Sequence, residues 1–321
     1  MTKTALITGI GGQDGAYLAQ LLLTKGYAVF GTSRDAGASS FSSLVHLGII
    51  EQIKLLSMAP HDFKSTLTVI SKVQPDEIYH LAGQTSVGLS FEQPSETIES
   101  ITIGTLNVLE ALRFLKLPAK FYHASSSECF GDTQALPADE QTPFNPVSPY
   151  AVAKASAYWL VRNYRDAHNM FAVNGILFNH ESALRPERFV TQKVVRAAYR
   201  IAQGSTEKLT LGALCISRDW GWAPEYVEAM WLMLQIEQAD DFVIATGQTN
   251  SLQDFVAQVF ACFGLDWTQH VLHDDQLMRP NEIAWSQGNP QRAKQLLGWQ
   301  ATKNMNDVIK ILCAHTPKAA K

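Results

Sequence analysis

Short apolar runs recur along the chain, and segments with helical spacing of apolar residues lie between them. Amphipathic segments include residues 16–22, 62–73 and 97–115. A short run that is apolar throughout is typical of a strand buried on both faces, and such strands alternating with helices predict parallel crossovers. We therefore predict an α/β fold built on a doubly wound parallel sheet. Its predicted strands are residues 3–8, 28–33, 53–57, 77–83, 120–124, 171–178 and 242–245.

The pattern changes after the sixth of these strands. A polar loop and a helix to about Gly204 follow it, and beyond Gly247 the chain is mostly helical in pattern. We predict that a smaller, mostly helical C-terminal lobe binds the substrate and that the sheet forms the first domain. The predicted bounds are 1–178 with about 222–250 for the first domain, and 179–221 with 251–321 for the lobe.

Composition narrows the class of protein. A chain of 321 residues with 46% hydrophobic and 17% charged residues can bury a sizeable core. The formal charge of -4 and the absence of a Lys/Arg run argue against nucleic acid as a partner. No signal-peptide layout or membrane-spanning apolar stretch is recognisable, so we expect a cytoplasmic protein without a membrane partner. The cysteines are scattered without a CxxC pair, which predicts neither a metal site nor a disulfide framework.

A glycine-rich turn joins the first predicted strand to the first predicted helix. It contains Gly9, Gly12 and Gly15, with Gln13 and Asp14 between the last two glycines. Glycines at this position permit a tight turn and let a pyrophosphate approach the amides of a helix N-terminus. A plain turn would explain the glycines alone, but their place between strand and helix favours a Rossmann-like dinucleotide site.

Two other strand ends bear on the cofactor. Arg34 follows the second strand and suits the 2'-phosphate of NADP, whereas the adjacent Asp35 suits the ribose hydroxyls of NAD. We favour NADP, with NAD possible. The fourth strand ends in Leu81, Ala82 and Gly83, small residues of the kind expected where the backbone approaches a cofactor.

The segment around Tyr150 carries the predicted chemistry. Tyr150 and Lys154 follow a Ser-Pro pair at a spacing that places both on one helix face. An ammonium beside a phenol favours phenolate, so we expect a lowered pKa for Tyr150 and a role as proton acceptor. A surface pair is the alternative interpretation of that spacing alone. Ser126 and Glu128 follow the strand 120–124, at the sheet edge where ligands bind.

These motifs together resemble a known family. The chain is similar to the extended short-chain dehydrogenases/reductases that modify nucleotide sugars, and most closely to the GDP-mannose 4,6-dehydratase family. The matching segments cover nearly the whole chain, and the most specific are Asn179–Ser182, the end of the matching segment Asn174–Ser182, and Arg218–Gly221. Others are Thr8–Gly15, Ala124–Glu128, Ser148–Tyr150, Phe189–Thr191, Tyr226–Trp231, Phe242–Gly247 and Gly298–Trp299.

The resemblance implies a reaction and roles for residues. It implies conversion of GDP-mannose to GDP-4-keto-6-deoxymannose by internal hydride transfer through bound NADP. Ser126 would be the hydroxyl catalyst, Glu128 the second acid/base, and Tyr150 and Lys154 the base pair. The GDP-sugar would be held by Asn179, Lys193, Arg218, Arg279 and Glu282. Structural ion pairs for the two arginines, a solvated position for Lys193 and an ion-paired Glu128 are the competing interpretations.

Departures from the family pattern leave some properties open. The family usually has a second arginine where Asp35 stands, an arginine in the loop region of Ser42–Leu44, and Gly-Asp where Ser57–Met58 stands. Cofactor choice and subunit number, a homodimer or a homotetramer, therefore remain open. A GDP-4-keto-6-deoxymannose reductase or an epimerase is the alternative enzyme. A catalytically silent nucleotide-sugar-binding partner subunit is the alternative from another class.

Overall fold

The computed structural model describes residues 2–316 of the chain. Its strands are β1 (Thr4–Thr8), β2 (Ala28–Ser33), β3 (Lys54–Ser57), β4 (Glu77–His80), β5 (Lys120–Ser126), β6 (Ala172–Leu177), β7 (Asn179–Glu181), β8 (Leu209–Leu211), β9 (Ser217–Trp222), β10 (Asp241–Ile244), β11 (Thr249–Ser251) and β12 (Val271–His273). Its helices are α1 (Gln13–Thr24), α2 (Ser42–His46), α3 (Phe63–Val73), α4 (Val87–Glu92), α5 (Pro94–Ile98), α6 (Gly104–Leu115), α7 (Pro149–His168), α8 (Val190–Ala202), α9 (Ala223–Met233), α10 (Leu252–Cys262), α11 (Gln291–Leu297) and α12 (Met305–Ala314).

A seven-stranded parallel sheet forms the centre of the described chain. Its strand order is β10-β6-β5-β4-β1-β2-β3, and all of its pairings are parallel. The order reverses direction between β1 and β4, where the carboxyl ends of the strands leave a crevice for a ligand. The predicted doubly wound α/β fold is confirmed.

Both faces of the sheet are apolar because helices cover both. On one face, Ile7 and Val173 belong to a buried cluster with apolar residues of α1 and α9. On the other face, Leu6 and Phe121 belong to a cluster with residues of α3, α6 and α7. Neighbouring residues of a strand point to opposite faces, so a strand covered on both faces must be apolar throughout. This explains the continuous apolar runs.

The predicted helix 97–115 is not continuous. The chain forms α5, then a π turn over Glu99–Ile103, and then α6. Gly104 follows the π turn, and a Cβ there would lie 3.2 Å from Pro60 Cβ, so glycine permits close packing at this point. Strand β5 is longer than predicted and includes Ser126.

A second core lies beside the sheet. Apolar residues of α8, β8, β9, α10 and α12 form a separate buried cluster that includes Trp220 and Phe255. The short strands there form a three-stranded sheet, β11-β9-β7, and the pair β12-β8. Ala293 and Trp299, predicted in the C-terminal lobe, instead pack into the core that contains α1 and α9. Of the helices in residues 2–316, none combines the length and apolarity needed to cross a membrane.

Candidate active site

A cavity of about 450 Å³ opens at the carboxyl ends of β5 and β6 and extends to the second core. Its lining contains every residue predicted for catalysis and for substrate binding. It also contains Asp14 and Leu81 from the predicted cofactor set. The remaining predicted cofactor residues lie outside that lining; these are Gly9, Gly12, Gln13, Gly15, Arg34, Ala82 and Gly83.

Ser126 and Glu128 are fixed by the end of β5. The strand terminates at Ser126, and a 3-10 turn over Ser127–Phe130 carries Glu128. The Glu128 N–H donates to Ser126 Oγ at 3.2 Å, so the hydroxyl caps the turn that presents the carboxylate. A short serine at the strand end therefore sets the positions of both side chains.

Tyr150 and Lys154 lie at the start of α7, as the Ser-Pro signal predicts. Ser148 Oγ accepts from the Ala151 N–H at 3.1 Å, and Pro149 occupies the first helical position. Both functional side chains are buried. Lys154 Nζ donates to the Ala124 carbonyl at 2.6 Å and lies 5.9 Å from the centre of the Tyr150 ring.

The expected lowering of the Tyr150 pKa is wrong for this structure. Burial raises the pKa of the phenol above its ordinary value, and a hydrogen bond with Ser126 and the charge of Arg185 act in the opposite direction. Burial also lowers the pKa of Lys154 to about 8. Tyr150 and Lys154 are both buried in the first turns of α7. The cost of desolvating them therefore outweighs the attraction between phenolate and ammonium that the sequence spacing suggests.

Glu128 faces a cluster of charges from the second core. Burial raises its pKa above the ordinary value, and the Arg218 and Arg279 guanidinium groups act to lower it. Arg218 is buried and donates to Glu282 Oε1 at 2.9 Å and to the Ile283 carbonyl at 2.7 Å. Arg279 lies 3.6 Å from the same Glu282 oxygen. Glu282 thus holds both arginines at the cavity wall, which is the ion-pair arrangement weighed as the competing interpretation.

Two further predicted substrate residues, Asn179 and Lys193, line the same cavity. Asn179 begins β7, and its backbone pairs with Trp220 of β9. Lys193 lies in the first turns of α8, and its Nζ donates to the Thr210 carbonyl at 2.8 Å. Lys193 is therefore held at the cavity rather than solvated on the helix surface.

The glycine turn adopts the geometry that its spacing predicts. Gly9 has a φ of +74°, and a Cβ there would lie 2.9 Å from the backbone nitrogen of Ala82. A Cβ on Gly15 would lie 2.6 Å from the Gly9 carbonyl oxygen. Both glycines are required for the turn to pack against the end of β4 and for α1 to begin at Gln13 with Gly12 as its cap.

A buried polar network joins this turn to β7. Gln13 Nε2 donates to the His180 carbonyl at 3.1 Å, and Ser182 Oγ donates to Gln13 Oε1 at 2.7 Å. His180 Nε2 lies 2.9 Å from Asp14 Oδ2. Burial acts to lower the pKa of His180, but the Asp14 carboxylate outweighs it and raises that pKa. The network fixes α1 relative to the wall of the cavity.

Arg34 and Asp35 follow β2 directly, but their side chains are held in different ways. The Arg34 side chain is 77% exposed and lies 3.3 Å from Glu96. Asp35 Oδ1 accepts from the backbone N–H groups of Gly37 at 2.9 Å and Ala38 at 3.1 Å. The Asp35 carboxylate therefore stabilises its own loop, whereas Arg34 is held by one exposed ion pair.

Sequence reasoning gave no role to Arg185 and Arg188, both of which line the cavity. The two arginines lie in the loop between β7 and α8. Their position after the carboxyl end of a strand is the signal that could have singled them out. His180 stacks on Tyr226, with ring centres 4.5 Å apart, and it also pairs with Asp14.

Comparisons with known proteins agree with this architecture. A family model described as GDP-mannose 4,6 dehydratase matches residues 6–312. GDP-mannose 4,6 dehydratase 2 of Arabidopsis thaliana is 43% identical over 329 residues, covering 99% of this chain and 88% of the relative.

Solved structures show the same fold at lower identity. UDP-glucose 4-epimerase of Thermus thermophilus, in complex with NAD, has a TM-score of 0.86 at 22% identity, covering 99% of this chain and 100% of the other. RMD from Pseudomonas aeruginosa, complexed with NADPH, has a TM-score of 0.80 at 23% identity, covering 98% of each chain. With the family match over nearly its whole length, the chain belongs to the GDP-mannose 4,6-dehydratase family.

Proposed function

We propose that this protein is a hydro-lyase that converts GDP-mannose to GDP-4-keto-6-deoxymannose. The observation that carries this proposal is the presence of Glu128 in one cavity with Ser126, Tyr150 and Lys154. Oxidation or reduction at C4 needs only a proton acceptor and donor. Elimination across C5 and C6 needs a second group that removes a carbon-bound proton, and we assign that step to Glu128.

The residues at the carboxyl ends of β1 and β4 fit a nicotinamide dinucleotide. The turn has no side chain at Gly9 or Gly15, and α1 begins immediately after it, which leaves helix amides for a pyrophosphate. When bound, the nicotinamide would accept a hydride from C4 of the sugar and return it to C6. We propose NADP as the cofactor, because Arg34 is available for a 2'-phosphate while Asp35 is engaged by its own loop.

The proton steps fall to this chain's own side chains. Tyr150 acts as a phenolate that Lys154 stabilises; it takes the proton of the sugar O4 hydroxyl as C4 becomes a ketone, and is then a neutral phenol. The ketone acidifies the C5 proton, which Glu128 removes. The C6 hydroxyl leaves as water with a proton from Glu128 or Ser126. As the hydride returns to C6, C5 regains a proton from Tyr150, which restores the phenolate. The raised pKa of Glu128 suits this double duty, because burial makes the carboxylate a stronger base and lets the acid form persist to higher pH.

We propose that the GDP part of the substrate binds beside the second core. Arg218 and Arg279 supply planar cationic donors for the diphosphate, and Lys193 adds a third cation. Glu282 would exchange its contacts with the arginines for the guanine edge. Asn179 lines the same cavity. The family alternative, a GDP-4-keto-6-deoxymannose reductase or epimerase, leaves Glu128 without a chemical role.

Product analysis tests the proposal. Purified protein is incubated with GDP-mannose and catalytic NADP, or NAD, and the nucleotide sugar is followed by mass spectrometry. We expect loss of one water without net cofactor reduction, and no loss with Glu128→Gln. Unchanged GDP-mannose with either cofactor would contradict the assignment and favour a reductase, an epimerase or a silent binding subunit.

Three coarser properties complete the proposal. The two separate cores support a first domain of 1–178 and about 222–250, with a lobe of 179–221 and 251–321. Helix α11 is an exception, because it packs on the first core. Residues 317–321 lie outside the described residues. The free cysteines fit a cytoplasmic protein. Exposed apolar residues on α6 and α7 support a homodimer or homotetramer, and these include Phe114, Val152 and Trp159.

A further inference from the structure

Two cysteines that are far apart in the chain meet beside the second core. Cys262 is the last residue of α10, and Cys313 is the next-to-last residue of α12. Apolar residues of both helices belong to the same buried cluster, and Cys313 packs against it. The Cys313 thiol forms a side-chain hydrogen bond with the Cys262 thiol. The two packed helices therefore hold these thiol groups side by side, and we refer to them as the thiol pair.

The members of the thiol pair differ in their exposure to solvent. Both cysteines are free, and Cys262 is exposed whereas Cys313 is half-buried. Burial raises the pKa of the Cys313 thiol to about 12, and the neighbouring Cys262 thiol acts in the same direction. Thiolate character and access to solvent govern how readily a cysteine reacts with an oxidant. An oxidant therefore reaches Cys262 first, while Cys313 stays protonated beside it.

The other two cysteines lie in different surroundings. Cys129 is buried, so an oxidant in solution does not reach it in the folded protein. Cys215 is exposed, in the loop between β8 and β9. The residue before it, Leu214, accepts from the Gln253 N–H at 3.1 Å, which places this loop at the start of α10. Cys262 ends the same helix, about 15 Å further along its axis. Cys215 is therefore an exposed thiol outside the thiol pair.

We propose that Cys262 and Cys313 form an oxidation site, at which a hydroperoxide converts the thiol pair into a disulfide between the ends of α10 and α12. The Cys262 thiolate attacks one oxygen of hydrogen peroxide and becomes a sulfenic acid; the hydroxide released takes up the proton that this thiol lost. The Cys313 sulfur then attacks the Cys262 sulfur, whose hydroxyl group leaves as water with the Cys313 proton. The two thiols together lose two electrons, and the peroxide is reduced to two molecules of water.

The helices that carry the thiol pair are already fixed in position. A capping box between Asn304 and Asp307 holds the start of α12, and Val308 and Leu312 are buried in the second core. A disulfide requires Cβ atoms roughly 3.5–4.5 Å apart, and hydrogen-bonded thiols on packed helices need little backbone movement to reach that distance. The bond would therefore join segments that already lie together, without distorting the lobe.

We expect the disulfide to stabilise the second core without altering the cavity. It closes a loop of about 50 residues, which restricts the unfolded chain and so favours the folded state. The core that it reinforces also contains residues of α8 and β9, the elements that place Lys193 and Arg218 at the cavity wall. Neither Cys262 nor Cys313 lines the cavity itself. The oxidation site is thus separate from the proposed function and does not rest on it.

Peptide mass spectrometry and thermal unfolding test the oxidation site. The reduced protein is treated with hydrogen peroxide, the remaining thiols are alkylated, and the peptides are analysed without reduction. We expect a crosslinked pair of peptides containing Cys262 and Cys313, about 2 Da lighter than the two reduced peptides, because each thiol loses one hydrogen. We expect the melting temperature to rise by about 3–6 °C on oxidation and to return to its starting value with dithiothreitol.

Cys262→Ser should abolish both the crosslink and the rise in melting temperature. Cys215→Ser is the matched control, because it removes an exposed thiol outside the thiol pair. It should retain both effects. Oxidation of Cys262 to a sulfinic acid while Cys313 is alkylated would overturn the proposal, and so would a disulfide from Cys262 to Cys215 or to a second molecule. A crosslink that leaves the melting temperature unchanged would overturn the stabilising effect.

Discussion

His180 Nε2 lies 2.9 Å from Asp14 Oδ2, so an imidazole after β6 is paired with a carboxylate in the first turn of α1. The other ring nitrogen, Nδ1, bonds to the Phe178 carbonyl at 2.7 Å. The ring is therefore held at both ends, with a proton on each nitrogen when it is charged. This contact joins the proposed cofactor helix to the strand that begins the substrate wall.

The pair predicts a particular dependence of stability on pH. The pKa of His180 is raised in the folded protein, so its stabilising contribution is complete below the ordinary value of 6.5 and is lost as the pH rises through the raised value. The pKa of Asp14 is lowered, so its contribution is lost only as the pH falls below 3.8. We expect His180→Gln to remove the loss of unfolding free energy above pH 6.5 that the wild type shows. Urea unfolding at several pH values measures the unfolding free energy of both proteins. If the wild type and the variant showed the same dependence of unfolding free energy on pH, the prediction would be contradicted.

Glu128 predicts the acid limb of the activity profile. A base must be ionised, so kcat/KM falls as the pH drops through the pKa of Glu128, which burial places above the ordinary 4.5. We expect Glu128→Gln to lower kcat by about 10²-fold to 10⁴-fold, the range for loss of a general acid or base. Rates of water loss from GDP-mannose between pH 4 and pH 8 provide the measurement. An acid limb at or below the ordinary value would show that another group controls it.

Gly15 predicts a steric defect in the glycine turn. A Cβ there would lie 2.6 Å from the Gly9 carbonyl oxygen, so Gly15→Ala must displace the backbone. We expect a loss of about 1–3 kcal/mol in unfolding free energy, together with weaker dinucleotide binding. Gly11→Ala is the matched control, because its Cβ would meet only the Phe41 ring at 3.6 Å. Equal effects of the two variants in urea unfolding and titration would contradict the steric argument.

Arg34 predicts the choice between the two dinucleotides. Its exposed ion pair with Glu96 is weak, so the guanidinium can turn to a 2'-phosphate. We expect Arg34→Ala to raise the Kd for NADP about tenfold and to leave the Kd for NAD nearly unchanged, since only NADP carries that phosphate. Fluorescence titration of both dinucleotides measures the difference. An unchanged Kd for NADP would place the discrimination elsewhere.

The apolar faces of α6 and α7 predict the subunit contact. Val152 and Trp159 lie seven residues apart on α7 and are 42% and 54% exposed, and Phe114 on α6 is 66% exposed. We expect Trp159→Glu to reduce the mass measured by light scattering to that of a smaller assembly, because a buried charge in an apolar interface is costly. Leu296→Glu on α11, where the leucine is 56% exposed, is the control. An unchanged mass with Trp159→Glu would exclude this face.

Much of the site follows from local spacing. The strands were predictable because burial on both faces requires continuous apolar runs, and the turn at Gly9 and Gly15 because its geometry excludes a Cβ. Tyr150 and Lys154 share a helix face by virtue of their four-residue separation. Such features depend on neighbours in the chain and are fixed once the local backbone is known.

The π turn before α6 and the ionisation of Tyr150 could not be predicted in the same way. The pKa of that phenol depends on how completely other segments exclude water from it, and its neighbour Lys154 is itself desolvated. The sequence by itself determined the alternation of strands and helices, the glycine turn and the candidate catalytic set. Only the tertiary structure decided which charges meet and how strongly they are desolvated, because Coulomb energies and burial depend on distances between segments that local spacing does not set.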